Sequence, residues 1–272
     1  MIEEYMSNSE YKTHFEKLRG LRSRIARDLP IKPGIHILDV ATGEGYFAIE
    51  VARLDRSLKI TGIDISQRAI RDARKNIEKQ NFQDRIEIVE MDATKMRFQR
   101  EEFDMAINFT GLEEIHMTRG NEGVQKTFLE VNRVLKPGTY FCFVVMPPEE
   151  METEAQKLEV ALFDYICGAK YLSNKEYEAM IKKAKFKLIG KRSYYTGMKF
   201  TSQQAKCEIR YTIKTAPRIY GVKTPSFEEV WTKFGQDIEK NGLGCYSKVV
   251  LMLAQKLEMF SNIKRATSPN TA

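Results

Sequence analysis

The sequence predicts an α/β fold in which an open, mostly parallel sheet lies between two layers of helices. Three observations carry this prediction. Short apolar runs alternate with stretches of helical spacing along most of the chain; three of those runs close on an acidic residue, Asp39, Asp64 or Asp92; and the first is followed by a turn of small residues, Ala41-Thr42-Gly43-Glu44-Gly45. Alternating strand and helix patterns build parallel sheets, because each parallel pairing needs a crossover that packs on a face. At 272 residues and 42% apolar content, the chain is long enough to bury such a core.

The elements follow in order. A helix is expected over 9–28, then a strand ending on Asp39, a helix over 45–53, a strand over 59–65 closing on Asp64, and a helix over 66–80. Strands at 85–92 and 103–109 come next, then a helix over 122–135 that Pro137 and Gly138 stop for ordinary backbone reasons. A fifth strand is expected over 140–146, helices over 152–169 and 174–185, a sixth strand over 186–194, and a seventh over 246–254 that closes the sheet. Between the last two, helical spacing runs over 202–215 and again up to 240, where Ser226 followed three residues later by Glu229 reads as a capping box. The organisation expected is one domain over 1–256, with 1–30 as an N-terminal lid helix and 149–172 and 195–245 as insertions roofing the carboxyl edge of the sheet. The tail 257–272 is expected to be disordered, and there is no repeat.

Charge decides what the first turn binds. The stretch HILDVATGEGYFA, His36 to Ala48, is an apolar strand followed by small residues that let a ligand press against the backbone. Gly43 to Ala48 also fits the dinucleotide fingerprint G-x-G-x-x-G/A, and Asp64 follows at about the twenty-residue distance of a ribose-binding acid. A dinucleotide, however, places its pyrophosphate at the turn and helix start, where Asp39 and Glu44 repel it. A ligand with an amino or sulfonium cation and a ribose, but no phosphate, suits these charges. S-adenosylmethionine is such a ligand.

The order and spacing of LDVATGEG, GIDIS, EMDA, FDMAINF and LKPG resemble those of the class I S-adenosylmethionine-dependent methyltransferases. The Asp-Val-Ala-Thr-Gly form of the first motif is most similar to the ubiquinone/menaquinone C-methyltransferase group and the small-molecule family around it. The resemblance covers 34–146 by motif and the remainder by layout. It implies a Rossmann-like, doubly wound, seven-stranded sheet with an antiparallel last strand and helical lid insertions, and S-adenosyl-L-methionine as cofactor. By the same resemblance, Asp39 would hold the methionine amino group, directly or through water, and Ala41, Gly43 and Gly45 would let the backbone approach the methionine portion. Asp64 would bind the ribose hydroxyls and Ile65 would pack on adenine. Asp92 would accept from the adenine amine, Ala93 would donate its N–H to the ring, and Asn108 would lie beside the amino-acid end. Ala41 departs from the glycine that many members carry.

Catalytic candidates follow the fourth strand, where the family often places groups close to the transferred methyl: Glu113, Glu114 and His116, each of which reads equally well as helix capping or surface charge. Asn108 lies where the exocyclic-amine and glutamine methyltransferases carry Asn-Pro-Pro-Tyr, but Phe109-Thr110-Gly111 departs from that signature. The aromatics Tyr165, Tyr171, Tyr194, Tyr195, Tyr211, Tyr220 and Trp231 read as pocket or core, and Arg192, Arg210 and Arg218 as carboxylate clamps or surface charge. Tyr5, Tyr11 and Phe15 would fold over the cofactor as part of the lid.

No apolar run is long enough for a membrane span and the acidic N-terminus is not a signal peptide, so a cytoplasmic protein is expected. Four scattered cysteines suggest neither a disulfide scaffold nor a zinc site, and no metal is expected. Residues 1–150 carry 23 basic against 25 acidic residues and 151–272 carry 21 against 12, so the basicity lies in the second half. Lys182, Lys183, Lys185, Lys187, Lys191, Arg192 and Lys199 read first as a solvated face. Three functions are compatible with these features: a methyltransferase acting on a small aromatic or anionic molecule, one acting on RNA or protein, and a protein that binds the cofactor without transferring its methyl. A dehydrogenase reading conflicts with Asp39 and the later motifs.

Overall fold

The computed structural model describes residues 8–258, with side chains from residue 15 onward; the expectations for Tyr5, the Tyr11 side chain and the tail beyond residue 258 lie outside the described residues. The first half builds α1 (Asn8–Arg27), β1 (His36–Val40), α2 (Tyr46–Ala52), β2 (Lys59–Asp64), α3 (Gln67–Lys79), β3 (Ile86–Glu90) and β4 (Phe103–Phe109). The second half builds α4 (Leu112–Val134), β5 (Leu135–Val145), α5 (Glu154–Cys167), α6 (Asn174–Lys183), β6 (Phe186–Tyr195), β7 (Lys199–Phe200), α7 (Ser202–Tyr220), α8 (Phe227–Asn241), β8 (Leu243–Gly244) and β9 (Lys248–Lys256).

Seven strands form one sheet in the order β3-β2-β1-β4-β5-β9-β6, and β7 pairs with β8 apart from it. Strands β1 to β5 pair in parallel, whereas β9 is antiparallel to both β5 and β6. The expected seventh strand is therefore antiparallel, but it does not close the sheet: it inserts between β5 and β6 and leaves β6 at the edge. Lysines along an edge strand discourage pairing with another chain, which accounts for Lys187 and Lys191 without a ligand.

Alternation along each strand supplies the two faces. Ile37 of β1 and Met105 and Ile107 of β4 bury against α1, α2 and α3, while Leu38, Val40 and Ala106 bury against α4 and α6. A third apolar cluster joins α5, α7 and α8 through Leu162, Ile166, Ile209, Val230 and Ile238. Ser226 caps α8 by accepting from Glu229 N at 3.2 Å, and Glu229 Oε2 accepts from Ser226 N at 2.7 Å, which is the predicted capping box. Ser226→Ala is expected to cost about 1 kcal/mol, seen as a lower urea midpoint at unchanged slope.

Two boundaries differ from the expectation, each for a local reason. Element α4 is two helical stretches that meet at Gly120, whose φ 63° and ψ −170° are not helical: the second stretch begins next to the expected start at 122, and the first, from Leu112, was not expected. Strand β5 starts at Leu135 rather than 140: the Pro137-Gly138 step, with Gly138 at φ 74°, is absorbed where the register with β4 shifts between Phe103 and Met105.

Candidate active site

The strand order reverses between β1 and β4, and in open α/β sheets ligands bind in the crevice at such a switch point. A cleft of about 1290 Å³ opens there. Small-molecule sites usually occupy roughly 300–1,000 Å³, so this cleft has room for two ligands side by side. Its floor is the carboxyl ends of β1, β2 and β3; its walls come from α1, the start of α4 and the end of α7.

Asp39 is buried at the end of β1 and accepts from Thr42 Oγ1 at 2.6 Å. Burial pushes its carboxyl up to about 7; the Thr42 hydrogen bond opposes that rise and the charge of Asp64 adds to it. Ala41, Gly43 and Gly45 all take positive φ, at 52°, 56° and 77°. This is the physical reason glycine suits the turn, and Ala41 accepts the strain where it could have been avoided. A Cβ on Gly43 would meet nothing within 4 Å, so the space above it is open cleft. A Cβ on Gly111 would stand 2.7 Å from that of Ala41, so the turn after β4 leaves room for the Ala41 methyl.

Asp64 closes β2, its Oδ2 accepting from Gly43 N at 2.9 Å and its Oδ1 from Ser66 N at 2.8 Å. Each oxygen keeps a further lone pair for a ligand hydroxyl. Ile65 is 58% exposed on the cleft wall, an apolar face ready for a flat ring. Asp92 Oδ1 accepts from Thr94 N and Oγ1, at 2.8 and 2.7 Å, and Oδ2 pairs with Arg119 at 3.2 Å. Burial acts to raise its pKa, but these partners outweigh it and hold the carboxyl below its ordinary value. Ala93 also lines the cleft.

Asn108 does not line the cleft. It is fully buried, donates from Nδ2 to Val40 O at 2.7 Å and so ties the end of β4 to the end of β1. Among the catalytic candidates the structure separates neighbours. Glu114 opens onto the cleft and accepts from Tyr220 Oη at 2.9 Å. The surrounding protein pushes its carboxyl up to about 7, against the Tyr220 bond. Water in the cleft softens that push, and a ligand that displaces the water strengthens it.

Glu113 points away into the core, with neither carboxylate oxygen in a hydrogen bond among the described residues. Burial raises it to about 7, and the amides of Glu113 and Met146, facing it without bonding geometry, moderate the rise. His116 lies off the cleft too; its Nδ1 is buried without a partner among the described residues, and burial together with Lys170 lowers its pKa.

Several lining residues are not legible in the sequence: Arg22 and Leu18 of α1, Tyr46 and Tyr246. One signal marks three positions at the site, since Ala41, Thr110 and Tyr246 hold non-glycine positive φ at 52°, 54° and 45°, and such strain gathers at functional sites. Tyr246 is held there by buried Glu159, which accepts from its N–H at 2.5 Å. Of the aromatics that the sequence offers for a pocket, Tyr220 reaches the cleft, whereas Trp231 stacks on Phe227 at 5.8 Å and Tyr165 meets Phe234 at 5.5 Å. Arg218 lines the cleft, Arg192 pairs with Asp28 at 2.9 Å, and Arg210 sits 4.0 Å over the Phe227 ring. No described helix is long and apolar enough to cross a membrane.

Comparison with known proteins bears on the fold and the family. A sterol 4-C-methyltransferase from Caenorhabditis elegans is 28% identical over 172 residues, covering 62% of this chain and 49% of that protein. A demethylmenaquinone methyltransferase from Desulfitobacterium hafniense is 28% identical over 121 residues, covering 44% of this chain and 46% of that protein. The chain thus spans about half the length of the curated relatives it matches. Among solved structures, the 4+2 cyclase SpnF superposes with a TM-score of 0.61 at 20% identity, over 89% of this chain and 82% of that one. That likeness shows the fold. The family model described as "Methyltransferase domain" matches residues 31–204, well over half of the sequence, and the chain belongs to that methyltransferase domain family.

Proposed function

We propose that this protein transfers the methyl group of S-adenosylmethionine to a small aromatic or anionic acceptor. The observation that carries the reading is the floor of the cleft: three consecutive strand ends present Asp39, Asp64 and Asp92 along one line, beside a turn with open space over Gly43 and an exposed apolar Ile65. This donor set fits the cofactor. Asp39 holds the ammonium group, Ala41, Gly43 and Gly45 let the backbone approach the methionine portion, Asp64 takes the ribose hydroxyls, and Ile65 with Ala93 and Asp92 takes the adenine. Asp92 would share its Oδ2 with Arg119 or release it. Asn108 acts through the β1–β4 junction rather than by contact.

When bound, the cofactor supplies a methyl already activated by its sulfonium, so the protein's contribution is placement. Aromatic Phe109, Tyr220 and Tyr246 line the wall above the carboxylates and suit an aromatic acceptor. Glu114, beside Tyr220, takes up the proton of an acceptor that must lose one. The relatives above are named for sterol and quinone substrates, which supports a small acceptor over a macromolecule. Isothermal titration with S-adenosylmethionine, S-adenosylhomocysteine and NAD tests the reading. Binding of both sulfur nucleosides and not of NAD is expected; binding of NAD alone would overturn it.

A further inference from the structure

The cleft contains a cation with no acceptor opposite it among the described residues. Arg22, in the second half of α1, lines the cleft, with its guanidinium carbon 5.2 Å from the centre of the Tyr46 ring and 5.3 Å from that of Phe109. Among the described residues no carboxylate or carbonyl pairs with it. Other arginines here are engaged: Arg24 donates to Tyr195 O, Arg85 to Ala52 O and Asp55 O, Arg133 to Phe98 O, and Arg119 to Asp92. Glu50, on α2, pairs with Arg53 at 3.4 Å, and Glu44 acts on Arg22 only through space.

A guanidinium carries five N–H donors, and crowding it without an acceptor costs free energy that a bound anion recovers. The crowding registers as a pKa pushed down by burial, which the surrounding tyrosines and glutamates only partly offset. Two aromatic rings hold the group in place by cation–π contact. Asp39 and Glu44 nearby disfavour a multiply charged phosphate, whereas a carboxylate carries a single charge and matches the guanidinium fork.

We propose that Arg22 is the docking group for a ligand carboxylate in this cleft. The inference rests on the methyl-transfer reading above. Its neighbours belong to both halves of the cleft: Tyr46 follows the Gly43–Gly45 turn, and Phe109 and Tyr246 belong to the acceptor wall. The carboxylate is therefore that of the cofactor's amino-acid end or that of an acidic acceptor.

Calorimetry on the full chain and its Arg22→Gln variant separates these sources, using S-adenosylhomocysteine, 5′-methylthioadenosine, and benzoate added to homocysteine-nucleoside-loaded protein. If the cofactor supplies the carboxylate, the variant loses roughly 10- to 100-fold in S-adenosylhomocysteine affinity, while 5′-methylthioadenosine, which lacks the amino acid, binds both proteins alike. If the acceptor supplies it, S-adenosylhomocysteine binding is unchanged and benzoate binding is lost. Arg22→Lys keeps the charge without the fork and should recover only part of either loss. Equal affinities of wild type and variant for all three probes would overturn the proposal. Wild-type protein that binds no S-adenosylhomocysteine would instead overturn the methyl-transfer reading, and this inference with it. Ligand-free Arg22→Gln should melt no lower than wild type; a lower melting temperature with all affinities intact would assign Arg22 to the scaffold.

Discussion

Asp64→Ala should weaken S-adenosylmethionine binding about 10²- to 10³-fold, the sum of two charge-assisted hydrogen bonds at roughly 1.5–3 kcal/mol each, less some compensation by water. The loss has two origins. One is the pair of ribose hydroxyls left without acceptors. The other is the turn, since Gly43 N and Ser66 N donate to the same carboxylate at 2.9 and 2.8 Å and position the backbone that faces the cofactor. Asp64→Asn keeps one oxygen acceptor and puts an N–H donor in place of the other, so its loss should be intermediate. The sheet itself should survive, because Asp64 ends β2 and packs no core face. Calorimetry beside a far-ultraviolet circular dichroism spectrum checks both halves of the claim. Affinity equal to wild type would remove Asp64 from the site.

The second large effect concerns turnover. Glu114→Gln is expected to lower it about 10²- to 10⁴-fold with an acceptor that must shed a proton, while S-adenosylhomocysteine affinity changes little. Glu114 serves as a base only when ionised, and its carboxyl is pushed up from 4.5 to about 7. Wild-type kcat should therefore rise with pH across that window, and the rise should vanish in the variant. Asp39 is pushed up to about 7 as well; in the proposed role at the cofactor's ammonium group its ionisation should shape kcat/KM in the free enzyme. Stability moves the opposite way. A carboxyl whose folded-state pKa lies above its unfolded value favours folding fully below the unfolded value, and that contribution is lost as pH rises through the folded one. Glu113, Glu159 and Glu208 are shifted in the same direction, to about 7. Urea midpoints should thus fall between about pH 5 and about pH 8, and fall less for Glu114→Gln. A kcat profile unchanged by the substitution would take Glu114 out of the chemistry.

Much of the cofactor floor was legible in the sequence because its determinants are local. A strand that ends on an acid, followed by residues able to take positive φ, leaves its mark within ten positions, as in Asp39 to Gly45. The Ser226–Glu229 capping box was legible for the same reason. The short helical stretch before Gly120 was not. Gly120 does break the chain between two helical stretches, and the missed one, 112–119, buries Leu112 against the sheet.

That stretch also separates the three catalytic candidates in space. Successive residues of a helix turn by about 100°, so once 112–119 is helical, Glu113 and Glu114 must face different ways: one into the core, the other into the cleft. His116 is turned away by the same geometry. Asn108, expected beside the amino-acid end of the cofactor, is a buried amide that donates to Val40 O, a contact between distant strands that the sequence does not display.

The sequence alone determined the succession of the first five strands along the chain, the carboxylates that close three of them and the charge that disfavours a pyrophosphate, since these follow from periodicity and turn chemistry within short windows. The tertiary structure alone decided the other wall. Arg22, Tyr220 and Tyr246 come from α1, the end of α7 and the approach to β9, far apart in the chain, and meet at the cleft only because β9 threads between β5 and β6 and the helices fold over the sheet's carboxyl edge. Contacts between such distant segments leave no period in the sequence. They arise from which apolar faces bury against each other, and that is settled when the chain packs.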